Sequence, residues 1–283
     1  MKKIGIVLEG GGFRGVYSSG ILDYFLEQEW HFPYVIGVSM GAVNGANYIS
    51  KQKRRSIDVP YAFLHDQRYF SYRNLLTKGS LFGMDFIFHE IPNKHNLFDF
   101  DTFRNSNQEF VVTTMDVHFG GSKYFTKSEL SDKDFLVALQ ASCSLPFISK
   151  MVTVKGKKYL DGGLSDSIPV QKAFEDGVDK VIVLVTREKG YRKEVKKRKN
   201  GQFFYRGYPE VVSAINQRSS KYNEELDYME KMASTGAVLP IYPNEAINIG
   251  RTERNEEKLM KAYNDGYQRG IECHDMILEF MNS

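Results

Sequence analysis

The run Val35-Ile36-Gly37-Val38-Ser39-Met40-Gly41-Ala42 joins a short apolar strand to a Gly-x-Ser-x-Gly turn and then to small residues. It reads as a nucleophile elbow, a turn that forces its serine into a strained backbone conformation and tolerates no side chain two positions before or after it. Simple strand-turn-helix corners carry the same spacing, so the rest of the chain has to decide between the two. Gly41, Ala42, Gly45 and Ala46 recur at helical spacing through Met40 to Ile49. Such a helix can lie close against a sheet with its electropositive N-terminus facing Ser39.

Upstream, Ile4-Gly5-Ile6-Val7-Leu8 is a nearly continuous apolar run, as expected for a strand buried on both faces. It ends in Glu9-Gly10-Gly11-Gly12-Phe13-Arg14-Gly15, after which Val16, Ile21, Leu22, Phe25 and Leu26 form an apolar helical face to about Gln28. Strand, glycine loop, helix, strand and elbow in that order open an α/β fold with a parallel sheet. The loop also matches Gly-x-Gly-x-x-Gly. A dinucleotide site, however, wants an acidic residue about 20 residues on, at the end of the next strand. Here that strand ends in Gly37-Val38-Ser39, and Glu29 lies before it. If the first strand lies beside the elbow strand, the amides of Gly11 and Gly12, with that of Met40, can instead form an oxyanion hole over Ser39.

Between Tyr61 and Phe110 stand twelve phenylalanines and tyrosines, enough to fill core and still line an apolar acyl pocket, with helical-looking pieces such as Met84 to Glu90 among them. Glu109 to Asp116 and Lys123 to Thr126 read as strands joined through His118-Phe119-Gly120-Gly121, and Asp132 to Ser142 as a helix stopped by Pro146. Met151 to Val154 and Lys158 to Leu160 form a hairpin that delivers Asp161-Gly162-Gly163 directly after a strand. Such a carboxylate is exposed to whatever lies at that sheet edge, although an ordinary Asp-Gly turn has the same sequence. A helix from Pro169 to Glu175 and a buried strand from Val178 to Thr186 follow. Tyr208 to Ala233 and Glu253 to Phe280 read as long helices on either side of a strand-like Ala237 to Tyr242.

The chain's charge of +3 conceals a local feature: Arg187 to Lys199 carries eight basic residues against Glu188 and Glu194, so the remainder is net acidic. This segment reads as a solvated loop that could meet an anionic membrane; a nucleic-acid partner is not expected. Cys143 and Cys273 form no disulfide framework and lie near no metal-spaced cluster, which points to a reducing, cytoplasmic setting without metal. The apolar run after Met1-Lys2-Lys3 stops at Glu9, too short for a signal sequence, so the start is expected to be a mature one.

A glycine-rich loop after the first strand, Gly-x-Ser-x-Gly some thirty residues later and Asp-Gly-Gly in mid-chain together resemble the patatin-like phospholipase family. Gly10, Gly12, Arg14 and Gly15 match its oxyanion loop, Gly37, Ser39 and Gly41 its elbow, and Asp161, Gly162 and Gly163 its Asp-Gly motif. Ala141-Ser142-Cys143-Ser144-Leu145-Pro146 resembles a fourth segment, Ala-Ser-x-x-x-Pro. Ser149 stands where many members carry an aromatic, a departure that bears on pocket shape. The resemblance spans residues 4 to 172, with 173–283 looking like a bacterial branch and completing the same compact unit.

It implies a three-layer α/β fold, a mainly parallel sheet flanked by helices, with a helix-rich C-terminal extension. It also implies a Ser-Asp dyad without cofactor: Ser39 as nucleophile and Asp161 as proton acceptor in a phospholipase A or lipid acyl hydrolase. Two alternatives stay open. One is an α/β-hydrolase with a Ser-Asp-His triad, for which His274 is the one histidine after Asp161. The other is a non-catalytic protein that keeps the fold to hold lipid.

Overall fold

The buried apolar runs of the sequence assemble into one eight-stranded sheet, seen in a computed structural model that describes residues 2–195, 201–250 and 253–283. Strand β1 (Ile4–Leu8) leads through α1 (Gly15–Glu27) to β2 (Tyr34–Val38) and α2 (Met40–Ile49). Helices α3 (Arg55–Phe63) and α4 (Tyr72–Lys78), a π-helical segment Phe86–His95 and α5 (Phe100–Asn105) precede β3 (Glu109–Asp116). Then come β4 (Ser122–Thr126), α6 (Asp132–Ser142) and the hairpin of β5 (Val152–Val154) and β6 (Lys157–Asp161). Helix α7 (Val170–Glu175), β7 (Lys180–Leu184), α8 (Gly201–Phe204), α9 (Pro209–Ser234), β8 (Val238–Ile241), α10 (Glu256–Glu272) and α11 (His274–Asn282) complete the described chain.

In hydrogen-bonding order the strands run β5-β6-β3-β2-β1-β7-β8, with β4 as a further partner of β3. The pairs β3/β2, β2/β1, β1/β7 and β7/β8 are parallel. Alternate residues of these strands bury on opposite faces, as the pleat demands. Ile6, Leu8, Val35 and Val112 pack under α1, α2 and α6. Val7, Ile36, Val111 and Val183 pack against α7 and α9. This is the three-layer α/β arrangement, and the C-terminal region adds β8 to the same sheet.

Two differences from the sequence reading have physical causes. The helix expected from Glu253 to Phe280 breaks at Cys273 into α10 and α11. Helix α10 lies against α1 with Gly266 and Gly270 at the contact, whereas α11 must turn to bury Ile277 and Phe280 in the core, which a straight helix could not do. The piece expected at Met84 to Glu90 runs instead as the wider π-helical segment to His95, with Pro92 inside it; π-helical geometry is rare and leaves no periodicity to find in a sequence.

The α1–α10 contact is among the closest in the fold. A Cβ on Gly20 would lie 2.1 Å from the Tyr263 carbonyl oxygen, and one on Gly266 would lie 1.9 Å from that of Tyr17. Gly266→Ala is therefore expected to destabilise the protein by about 1–3 kcal/mol through overpacking, despite alanine's higher helix propensity. Gly121→Ala, where a Cβ meets nothing within 4 Å, is the control and should stay within about 0.5 kcal/mol of wild type. Urea denaturation of both variants measures the difference.

Candidate active site

Ser39 has φ 55° and ψ −126°, a conformation that costs a non-glycine residue on the order of 1–3 kcal/mol. Its neighbours leave it no alternative. A Cβ on Gly37 would stand 2.6 Å from the Gly41 carbonyl, and one on Gly41 would stand 2.4 Å from the Leu8 carbonyl oxygen, so both glycines are required by packing. Leu8 pairs with Gly37, which sets the glycine loop after β1 beside the elbow after β2. There Gly12 takes a positive φ of 57°, and Gly15 lies against the Met40 side chain. Met40 is the first residue of α2 and Gly12 the first of a single 3-10 turn, positions whose N–H groups have no acceptor within their own helix.

The elbow is held from behind by a relay. The Ser39 N–H donates to Ser142 Oγ at 2.8 Å, and the Ser142 hydroxyl donates to the Thr113 carbonyl on β3 at 2.7 Å. Ser142 and Thr113 are fully buried. The sheet itself brings up Asp161. Strand β2 runs along β3 from Glu109 to Thr113 and then leaves it at the elbow. Strand β4 occupies β3 from Val111 to Met115, so β6, which pairs from Thr114 to Asp116, continues along the edge that β2 vacates. Asp161 sits opposite Thr114, one residue beyond the last β2 pair. Its N–H donates to the Ser144 carbonyl at 2.9 Å, its Oδ1 accepts from the Gly163 N–H at 2.7 Å, and it is 1% exposed. Gly162 lies so near the Thr113 carbonyl oxygen that a Cβ would come within 2.4 Å.

Ser39 stands where two cavities meet, and Gly12 and Leu145 line both with it. One cavity is apolar, walled by Phe13, Met40, Val43, Met84 and Leu139, together with Tyr69, Phe82, Phe88 and Phe98 from the aromatic-rich stretch. The other is polar and holds Gly10, Gly11, Arg14, Asp161 and Gly163. Cys143 lies beside both Ser39 and Asp161: burial and the nearby Asp161 carboxylate push its thiol up, and a contact with the Ser39 side chain opposes them in part. Ser149, the departure noted above, lines neither cavity among the described residues.

His274 is not brought to this site. It starts α11, hydrogen-bonds the Tyr24 hydroxyl through Nδ1 at 2.7 Å and packs on Trp30. No histidine is among the described residues that line the two cavities.

The sequence reading missed the support from α9. Arg218 Nε donates to the Gly163 carbonyl at 2.8 Å. Tyr222 donates to Oε1 of the buried Glu9 at 2.8 Å, while Thr186 donates to its other oxygen, so the base of the glycine loop is tied to α9. Glu225 accepts from the N–H groups of Ser167 at 2.9 Å and Ile168 at 3.2 Å. Arg218, Tyr222 and Glu225 fall at i, i+4 and i+7, so a polar stripe on the inward face of a long helix was the available signal. Ser142 belonged to a quoted motif, but its role as a relay depends on β3 lying beneath it.

A family model described as patatin-like phospholipase matches residues 6–174, and one described as a domain of unknown function matches residues 208–282. The uncharacterized protein YjjU of Escherichia coli is 25% identical over 248 residues, covering 85% of this chain and 68% of its own length. The probable lipid hydrolase 463L of invertebrate iridescent virus 6 is 22% identical over 190 residues, covering 60% of this chain and 63% of its own. Among solved structures, VipD from Legionella pneumophila aligns with a TM-score of 0.48 at 13% identity, covering 98% of this chain and 67% of that one.

The clamp between α9 and the segment after Asp161 carries a titratable pair. Burial first and the Asp166 charge second raise the Glu225 carboxyl to about 8, and burial raises Asp166 as well, against a hydrogen bond from Tyr124. The folded state thus holds protons that the unfolded state releases. This contribution to stability is fully present below the ordinary glutamate value of 4.5 and is lost as pH rises to about 8. The melting temperature of wild type should therefore fall over that window more steeply than that of Glu225→Gln, which parallel thermal scans across the window measure.

Proposed function

The chain belongs to the patatin-like phospholipase family, whose model covers residues 6–174, and on that membership and the geometry around Ser39 we propose a serine acyl-ester hydrolase of phospholipase A or lipid acyl hydrolase type. The observation that carries this reading is the handover on β3, where β6 takes up the edge that β2 leaves and Ser39 and Asp161 face one cavity. In the proposed reaction Asp161 accepts the Ser39 hydroxyl proton as Oγ attacks the ester carbonyl. The resulting oxyanion takes hydrogen bonds from the amides of Gly11, Gly12 and Met40. Losing one such donor typically raises a barrier by about 2.7–4 kcal/mol, so these amides can offset a weak carboxylate base. The alkoxide leaves with the proton from Asp161, and water then enters by the same route and releases the acid from acyl-Ser39.

Residues 4–172 are the proposed catalytic region, with 173–283 completing the same unit through α9. No cofactor is required in this scheme. The position of His274 against Tyr24 and Trp30 disfavours a Ser-Asp-His triad. We place the activity in the cytoplasm; no helix among the described residues is long and apolar enough to cross a membrane. Peripheral contact with an anionic membrane through the Arg187 to Lys199 segment is part of the proposal, although Lys196 to Lys199 lie outside the described residues and Arg192 pairs with Asp227 and Glu230. Phe203 and Phe204, exposed just beyond it, could seat in such an interface.

Ser39→Ala should lower hydrolysis of short-chain esters by roughly 10⁴-fold or more. Asp161→Asn should lower it by roughly 10²–10⁴-fold, since an amide cannot accept the proton. His274→Ala should keep most of the wild-type rate. Initial rates, with circular dichroism to verify folding and a fluorophosphonate probe to report labelling of Ser39, decide the reading; a folded wild type that neither turns over esters nor takes the probe would identify a lipid-holding protein instead. Co-sedimentation with vesicles should require anionic lipid and weaken with added salt, and binding indifferent to both would remove the membrane contact.

A further inference from the structure

The apolar cavity that begins at Ser39 does not stay apolar. Met40, Val43, Ala46 and Asn47 present one face of α2 along it, so the cavity follows the helix for about 10 Å from the elbow to Asn47. There Arg55 and Ser56, the first residues of α3, join the lining. Two left-handed residues in the connection, Lys51 at φ 57° and Arg54 at φ 63°, fold α3 back toward the end of α2, and the Asn47 side-chain amide donates to Ser56 Oγ at 2.8 Å. Arg55 is the one charged side chain among the described residues that line this cavity. Uncharged groups hold it: Nη2 donates to the Asn96 carbonyl at 2.7 Å, Nη1 donates to Asn47 Oδ1 at 3.4 Å, and the guanidinium lies 5.5 Å from the centre of the Phe98 ring. Its Nε is buried with no hydrogen-bond partner among the described residues. The carboxylates close by in sequence are engaged elsewhere, Asp58 with Arg54 and Glu27 with Lys53, and Asp161 faces Ser39 from the other cavity. Burial alone pulls the pKa of Arg55 down to about 10, with no carboxylate to hold it up. A cation so placed is costly unless an anion completes it.

Resting on the ester-hydrolase reading, we infer that Arg55 selects acyl groups that end in a carboxylate: hemiesters of α,ω-dicarboxylic acids, with the ester carbonyl at Ser39 and the distal carboxylate on the guanidinium at the far end of the cavity. The methylenes between them lie against Val43, Met84, Phe88 and Phe98. A guanidinium fork matches two carboxylate oxygens, and the pair would satisfy charge on both sides at once. The path of about 10 Å is the length of an extended chain of roughly eight carbons. A shorter diacid would hold its second carboxylate away from Arg55 and nearer Asp161, where like charges repel. Cleavage passes the acyl group to Ser39 and then to water, releasing the diacid and the alcohol, and the distal carboxylate takes no part in bond making. An apolar cavity without such a cation rejects a carboxylate, because burying one unpaired is costly. The sign of the preference therefore separates a selecting Arg55 from a merely structural one.

The test uses the full-length protein at neutral pH and two matched series of soluble p-nitrophenyl esters with acyl groups of six, eight, ten and twelve carbons, one series ending in a methyl group and the other in a carboxylate. Wild type should cleave the carboxylate-ended ester of roughly eight to ten carbons with kcat/KM at least about tenfold above its methyl-ended counterpart, the scale of a charge-assisted hydrogen bond. At six carbons that advantage should be lost. The ratio should fall below one in Arg55→Gln, recover in part in Arg55→Lys and persist in Arg54→Gln, which removes the adjacent cation. Because each ratio is taken within one variant, partial misfolding cancels. A wild type that prefers methyl-ended esters at every length, or a ratio that Arg55→Gln leaves unmoved or Arg54→Gln abolishes equally, overturns the inference and leaves the hydrolase reading intact. An eight-carbon ester ending in a hydroxyl and cleaved as fast as the carboxylate makes the end of the cavity a neutral polar site and likewise overturns it. Failure of wild type to cleave any ester of either series defeats the hydrolase reading and this inference with it.

Discussion

A single backbone conformation underlies the arrangement of this molecule: the positive φ of Ser39. A residue in that region stores strain that packing elsewhere has to offset. Gly37 and Gly41 make the turn sterically feasible, and the buried relay from the Ser39 N–H through Ser142 to the Thr113 carbonyl gives its amide a partner. Because the relay ends on β3, the elbow is referenced to the same strand that carries β6. Elbow and Asp161 are thereby registered against one rigid element, and a shift of β3 would move both together.

The second organising fact is how the sheet uses the edge of β3. A strand that ends in a sharp elbow leaves unpaired backbone groups on its neighbour, and buried unpaired groups are costly. The hairpin of β5 and β6 supplies them with partners from Thr114 to Asp116. Closing that gap delivers a carboxylate to its rim. The same backbone requirement that completes the sheet thus assembles the cavity, and Gly162 and Gly163 permit the chain to turn away against the Thr113 carbonyl and the Arg218 guanidinium.

The C-terminal region has more than a covering role. Helix α9 reaches the glycine loop through Tyr222 and Glu9, the Asp-Gly-Gly turn through Arg218, and the following segment through Glu225. All three contacts are polar and lie on one helix face that also buries Leu226 and Met229. Apolar burial of that face provides adhesion, while the polar stripe fixes its register. An adhesive surface without those polar partners could slide by a turn.

How much of this was legible in residues alone follows from the range of the forces involved. Strand β1, the glycine loop, β2, the elbow and helix Met40–Ile49 could be read directly, because continuous apolar runs and glycines at steric pinch points leave a local imprint. The hairpin that ends in Asp161 was legible for the same reason. The break at Cys273, the π-helical segment and the relay through Ser142 were not, since each answers to a surface supplied by a distant part of the chain. Arg187 and Lys193 show the difference most clearly. In the sequence they belong to a solvated basic run, and in the folded chain they turn inward to stack on Tyr191 and Tyr222 beside Ser39. Sequence order records that a charge exists; only tertiary packing decides which ring, carbonyl or cavity that charge will face.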